Sequence, residues 1–131
     1  MKSVLIYVEL KTGFADNGPA WVGKGFFSRS GQTIYFNGKI LKKGKGIAGN
    51  YFDIETRDQE EREEYWISGI KKNGTNRHES GTGKIQIDFI IVKEYLELTG
   101  KASLPKTFEI VSLNNNPSIE TAHLLENKKL K

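Results

Sequence analysis

The stretch AWVGKGFFSRSGQTIYFNGKILK, residues 20–42, decides the fold. Residues 20–28 and 32–42 are dense in aromatic and β-branched side chains, whose shape suits a pleated, half-buried surface. Between them Ser28-Arg29-Ser30-Gly31 has the composition of a hairpin turn. Read as one strand, 32–42 puts Ile34, Phe36 and Ile40 on one face with Gly38, and Tyr35 with Asn37 on the other. Gly23, Gly25 and Gly38 fall inside these strands. Glycine there marks a bend or a close backbone approach, as at the corner of a barrel.

Working outward, residues 3–11 read as a further strand. Val4, Ile6, Val8 and Leu10 fall on one face, Leu5 and Tyr7 on the other, so this strand is expected to be buried on both sides. A turn cluster around Asn17-Gly18-Pro19 follows it. After residue 42 come a basic loop, KKGKGIAGN, and a short strand, NYFDIET (50–56). The charged turn RDQEEREE leads into EYWISGIKK (64–72), which is expected to pair back as a hairpin. A Gly-rich loop, NGTNRHESGTG (73–83), precedes the short strand KIQID (84–88). Asp88 then suits the N-cap of a helix over 89–99, with Gly100 just past its end and Ile91, Val92, Tyr95 and Leu96 on one face. PKTFEIVSL (105–113) is a last strand, with Phe108 and Ile110 on one face. Pro117 could open a second, C-terminal helix with Ile119, Ala122 and Leu125 on its apolar side. Strands in succession with one late helix predict a mainly β fold: a small antiparallel barrel or strongly curved sheet of about six strands, closed or plugged by the helix. An SH3-like barrel is the first choice, a flatter α+β sheet the second.

The chain has 131 residues, 37% hydrophobic and 27% charged, a globular composition that fits one domain over residues 1–127. Lys128, Lys129 and Lys131 form a basic, frayed tail and supply three of the four units of net positive charge. The rest of the chain is nearly neutral but segregated. Lys39, Lys42, Lys43 and Lys45 make a basic run, and residues 53–64 an acidic one. The absence of Cys excludes disulfides, a thiolate nucleophile and a cysteine zinc site. His78 and His123 do not by themselves make a metal site, so none is expected. Glu9 and Lys11 interrupt the first apolar run, and neither a signal peptide nor a membrane span is expected. The expected setting is cytoplasmic.

Two nucleotide motifs are incomplete. Gly44-Lys45-Gly46-Ile47-Ala48-Gly49 matches G-x-G-x-x-G, but that fingerprint needs a helix after it, and NYFDIET is strand-like. Gly81-Thr82-Gly83-Lys84 resembles the end of a P-loop, yet Ile85 stands where a hydroxyl would hold Mg²⁺. No cofactor is expected.

Two regions carry chemistry. The first is the loop from Lys71 and Lys72 to Lys84, where Arg77 could clamp an anion and His78 could act as acid or base. Its plainer reading is a solvated connection whose Arg77 pairs with Glu79 or the acidic turn. The second is an aromatic–polar band of Trp21, Tyr35, Asn37, Tyr51, Asp53, Tyr65, Trp66 and Ser68, which could line one groove. Its plainer reading is barrel core with polar handles at the rim.

The favoured function is a non-enzymatic binding or accessory module. It would use the aromatic–polar rim (Trp21, Tyr35, Asn37, Tyr51, Trp66, Ser68) together with Lys72, Arg77 and the 71–84 loop. Its partner would be a protein or an anionic ligand, with nucleic acid a weaker choice. The alternative is a small enzyme acting on an anionic substrate, with His78 as acid/base, Arg77 as clamp and Asp53 as an orienting carboxylate.

Trp21-Val22-Gly23, SGQTIYFNGK (30–39), GNYFDIE (49–55), EEYWISGIKKNG (63–74), Arg77-His78 and SGTGKIQID (80–88) together resemble an uncharacterised family of small single-domain bacterial proteins. The resemblance spans roughly residues 6–98. Some members carry the label 1-deoxy-D-xylulose-5-phosphate synthase, which implies a thiamine-diphosphate enzyme of several large domains. A chain of 131 residues without a metal-diphosphate motif does not supply one. The family offers no catalytic residue to carry over. Where its members place Trp after Arg-His, this chain has Glu79, which makes the loop more polar.

Overall fold

A computed structural model describes residues 2–14, 18–44, 49–60, 62–81 and 83–114. The expected C-terminal helix, His123 and the basic tail lie outside the described residues, as do Lys45 and Asn17. Eight strands are formed: β1 (Lys2–Leu10), β2 (Ala20–Phe27), β3 (Thr33–Phe36), β4 (Lys39–Lys43), β5 (Tyr51–Asp53), β6 (Glu64–Gly69), β7 (Ile85–Asp88) and β8 (Phe108–Val111). Neighbours run β1-β6-β5-β4-β3-β2, and β2 returns to β1, so six antiparallel strands close a barrel. β7 and β8 extend the sheet from β2 in parallel.

The edge of β2 is forked. Ala20–Val22 pair with β7, while Phe26 and Phe27 pair with β3. All of β2 from Ala20 to Phe27 pairs with β1 on the other side. The strand changes partner at Gly23-Lys24-Gly25, where the interior is tight. A Cβ on Gly23 would lie 2.9 Å from Leu113 Cδ1, and one on Gly25 would lie 2.5 Å from Ile6 Cδ1. Both glycines are therefore close-approach positions.

Alternation along β1 sorts two cores. Ile6 and Val8 face into the barrel with Ile34, Phe36, Leu41 and Ile67. Leu5 and Tyr7 face outward onto a second cluster with Val22, Ile87, Ile91 and Tyr95. Burial of a side chain such as Leu41 on folding stabilises by about 1.5–3 kcal/mol. The outer cluster exists because the helix α1 (Val92–Thr99) packs on the outside of the barrel wall. It does not plug the barrel mouth. Its start is a 3-10 turn, Phe89–Ile91, capped by the Asp88 side chain accepting from the Ile90 amide. Its end is Gly100 in the left-handed region, φ +74°.

Residues 32–42 are not one strand. Asn37 and Gly38 both have positive φ, +48° and +76°, between the pair Phe36↔Lys39. This is the two-residue turn that Asn-Gly favours, and it makes β3 and β4 a hairpin. The turn resets the alternation. Ile40 therefore lies opposite Tyr35 and away from the face of Ile34 and Phe36. Asn37 is a turn residue whose Oδ1 accepts from the Asn114 amide at 2.9 Å. Gly38→Ala should cost about 1–2 kcal/mol from the left-handed backbone alone. A shift of the urea midpoint with unchanged slope would show it. A Cβ there would also meet Asn114 Nδ2 at 2.9 Å.

Candidate functional site

The outer face of the wall is organised in cross-strand rows. On one row Trp66 of β6 lies opposite Glu9 of β1, which lies opposite Ala20 of β2 and then Ile85 of β7. On the next, Ser68 lies opposite Tyr7, then Val22 and Ile87. α1 covers the second row. Over the first row, the loop after β6 folds back and leaves a pocket of about 790 Å³. That size lies in the range of small-molecule sites. Tyr7, Glu9 and Ala20 line it from the strands, with Trp66, Ser68, Lys71, Arg77, His78 and Lys84 around them.

The loop is held by specific bonds. Asn76 is buried, and its Oδ1 accepts from the Lys71 amide at 2.6 Å. The Asn73 amide donates to the Leu98 carbonyl of α1 at 2.9 Å. Arg77–Ser80 then form a single 3-10 turn that presents His78 to the barrel wall. The His78 ring stacks on Tyr7, with centroids 4.4 Å apart and planes 13° apart.

Two hydrogen-bond chains meet at that stack. On the wall, Tyr7 Oη donates to Glu9 Oε1, and Lys11 Nζ lies 2.7 Å from Glu9 Oε2. On the helix side, Tyr95 Oη donates to Glu79 Oε1 at 2.7 Å, and Lys101 Nζ lies 2.9 Å from Glu79 Oε2. His78 Nε2 is 3.3 Å from Tyr95 Oη. Because the Tyr95 proton serves Glu79, the network assigns the Nε2–H tautomer to His78, which leaves Nδ1 as an acceptor. Burial lowers the His78 pKa to about 4; Lys101 adds to this, while Glu79 and Glu9 oppose it. His78 is thus neutral near pH 7. Burial alone would raise the Glu79 carboxyl, but bonds from Lys101, Tyr95 and Asn76 hold it below the usual carboxylate range. Tyr7 and Tyr95 are both pushed up, first by burial and then by their carboxylate partners, so both stay protonated donors.

The residues singled out from the sequence separate into two groups. Trp66, Ser68, Arg77 and His78 come together at the pocket. Trp21, Tyr35 and Tyr51 do not join them. Tyr51 packs in the barrel core and donates to the Gly31 carbonyl at 3.0 Å. Tyr35 is 2% exposed, and Trp21 packs against the barrel core with its Nε1 donating to Gln86 Oε1 at 2.8 Å. Lys72 is exposed in the loop and does not line the pocket. Asp53 shares the inner face with its partner Leu41. Its carboxylate caps the Glu55 amide at 3.0 Å and pairs with Lys39 at 3.3 Å. It is therefore separated from His78 by the barrel wall. Glu79, acting through Tyr95, occupies the orienting position instead. Its ion-pair partner is Lys101 and not Arg77.

Glu9, Tyr7, Tyr95 and Lys101 had no functional reading from the sequence. A signal existed for one of them, since Glu9 is an acid on the otherwise apolar Leu5–Tyr7 face, which makes it a buried charge needing partners. Among the described residues, no three His, Asp or Glu side chains gather as a metal-ligand set.

Fold and site together define a small closed β-barrel with an outer layer that holds a cationic pocket against its wall. No family model, curated protein or solved structure matches the chain.

Proposed function

We propose that the protein is a non-enzymatic binding module that takes an anionic ligand into this pocket. One observation carries the reading. Lys71, Arg77 and Lys84 line the pocket, and among the described residues none has an ion-pair partner. The single acid of the lining, Glu9, is already paired with Lys11. Cations gathered without counter-charges leave a field that an anion satisfies. Arg77 adds the planar fork suited to carboxylate or phosphate. An SH3-like reading fits this account, in the sense of a barrel that binds along one side. The family resemblance and a cytoplasmic setting belong to the same proposal. No described helix is long and apolar enough to cross a membrane.

Inorganic pyrophosphate is a suitable probe at low salt. A ligand at a hundred times its Kd stabilises by about 2.7 kcal/mol, which a thermal melt reads as several degrees. Arg77→Gln should weaken binding by about tenfold or more, since hydrogen bonds to charged groups contribute about 1.5–3 kcal/mol. A melt unmoved by pyrophosphate at millimolar concentration would count against the reading.

A second reading, a small enzyme acting on an anionic substrate with His78 as acid/base, draws on a different observation. The Glu79–Tyr95–His78 chain orients a neutral imidazole with Nδ1 unprotonated, as a general base requires. The inner-face position of Asp53 removes that residue from it.

A further inference from the structure

We propose that the anion is a nucleoside phosphate, its base stacked on Trp66 and its phosphate held by Arg77 and the neighbouring lysines. This rests on the anion-binding reading above and adds the ring. Trp66 is 45% exposed, large for an aromatic side chain on a strand. Among the described residues no ring or cation packs against it. The next positions on its row are Glu9 and Ala20. Glu9 is held down by Tyr7 and Lys11, and Ala20 is a methyl, so neither of these two positions fills the space beside the indole. A flat ring fits that space and gains stacking.

The Glu9 carboxylate then lies at the ring edge. Its two oxygens have about four acceptor positions. Tyr7 uses one on Oε1, and Lys11 pairs with the buried Oε2 by charge without a hydrogen bond, so acceptor capacity remains for N–H groups on a base edge. A purine such as guanine presents adjacent N–H donors there. Indole, carboxylate acceptor and unpaired cations thus lie in sequence along one pocket wide enough for a mononucleotide.

Charge elsewhere argues for a short ligand. Lys42 and Lys43 are exposed on β4, three strands round the ring from β1. The basic groups therefore do not form one track for a long backbone, as a general nucleic-acid binder would gather them. The same chemistry can come from a free nucleotide or from the terminal nucleotide of a strand.

The experiment titrates the full chain with guanosine 5′-monophosphate, ribose 5-phosphate and a 5′-phosphorylated tetranucleotide, by calorimetry and tryptophan fluorescence. The nucleotide should quench Trp66 emission and bind about tenfold tighter than ribose 5-phosphate, in line with the strength of base–aromatic stacking. Trp66→Leu should remove that advantage, bringing the nucleotide down to about the affinity of ribose 5-phosphate for the same variant. Arg77→Gln should weaken both. A tighter tetranucleotide identifies a strand end as the source, and an equal or weaker one a free nucleotide. Equal affinity for the nucleotide and ribose 5-phosphate, with emission unmoved, would overturn the nucleoside assignment and leave the anion site standing. Binding of neither, with pyrophosphate also inert, would remove both.

Discussion

Gly25→Ala should destabilise the barrel by about 2–3 kcal/mol, within the usual cost of overpacking a core. The new methyl would meet Ile6 Cδ1 at 2.5 Å and Ile34 Cγ2 at 3.2 Å. Ile6 is 2% exposed, so its side chain has no solvent to swing into. A sharper expectation follows from which atom is met. Ile6→Val deletes Cδ1 itself. Alone, it should cost about 0.5–1.5 kcal/mol as a large-to-small core change. On the Gly25→Ala background it should instead restore stability, so the two changes are coupled with opposite sign. Urea unfolding of the wild type, both single variants and the double variant measures this. If Ile6→Val costs the same on both backgrounds, the packing account of the β2 fork is wrong.

Acidification should weaken the fold through His78. Its folded pKa is about 4 against an ordinary value of 6.5. Between those values the unfolded chain binds a proton that the folded chain refuses, so stability is full above about pH 6.5 and falls as pH drops toward 4. The loss is about 2 kcal/mol by pH 4.5, because each tenfold difference in proton affinity between the folded and unfolded chain contributes about 1.4 kcal/mol and solvent at the open edge of the ring offsets part of it. The groups facing the imidazole are Tyr7 and Glu9 from β1, Tyr95 from α1, Phe108 from β8, and Glu79 with Lys101. Glu79 titrates lower, because its folded value is depressed, and adds its own loss only at the acid end. His78→Phe keeps a ring against Tyr7 and cannot titrate. It should show a nearly flat stability from about pH 6.5 to 4.5, with Tyr95 still donating to Glu79. Parallel decline of the two proteins would locate the acid sensitivity elsewhere.

Local signals in the sequence are enough for most of the elements. The two apolar faces of β1 do serve two cores, and Asp88 and Gly100 do bound the helix, because caps and alternation act within a few residues. The Asn37-Gly38 turn was equally local, but it is hidden between two runs rich in β-formers that read as one. The pocket was half legible. Trp66, Ser68, Arg77 and His78 stand out as aromatic or polar residues at strand and loop positions. Alternation says that Trp66 and Tyr65 point opposite ways, but not which way is inward; that depends on register with β1. For the same reason alternation alone does not separate Tyr35, Tyr51 and Trp21 from Trp66; closure of the ring does. Glu9, Tyr95 and Lys101 reach His78 only through pairings between distant parts of the chain, which no spacing rule records.

The rows beneath the pocket have a mechanical meaning. Every other junction in the six-strand ring joins strands consecutive in sequence; β1 against β6 is the one that spans most of the barrel. Trp66–Glu9 and Ser68–Tyr7 lie across that junction. A bound ligand touching both sides is therefore a clasp over the zip of the barrel. Amide hydrogen exchange should slow along Ile6–Leu10 and Tyr65–Gly69 when the pocket is filled, more than in the β3–β4 hairpin, because occupation suppresses the opening that exposes them.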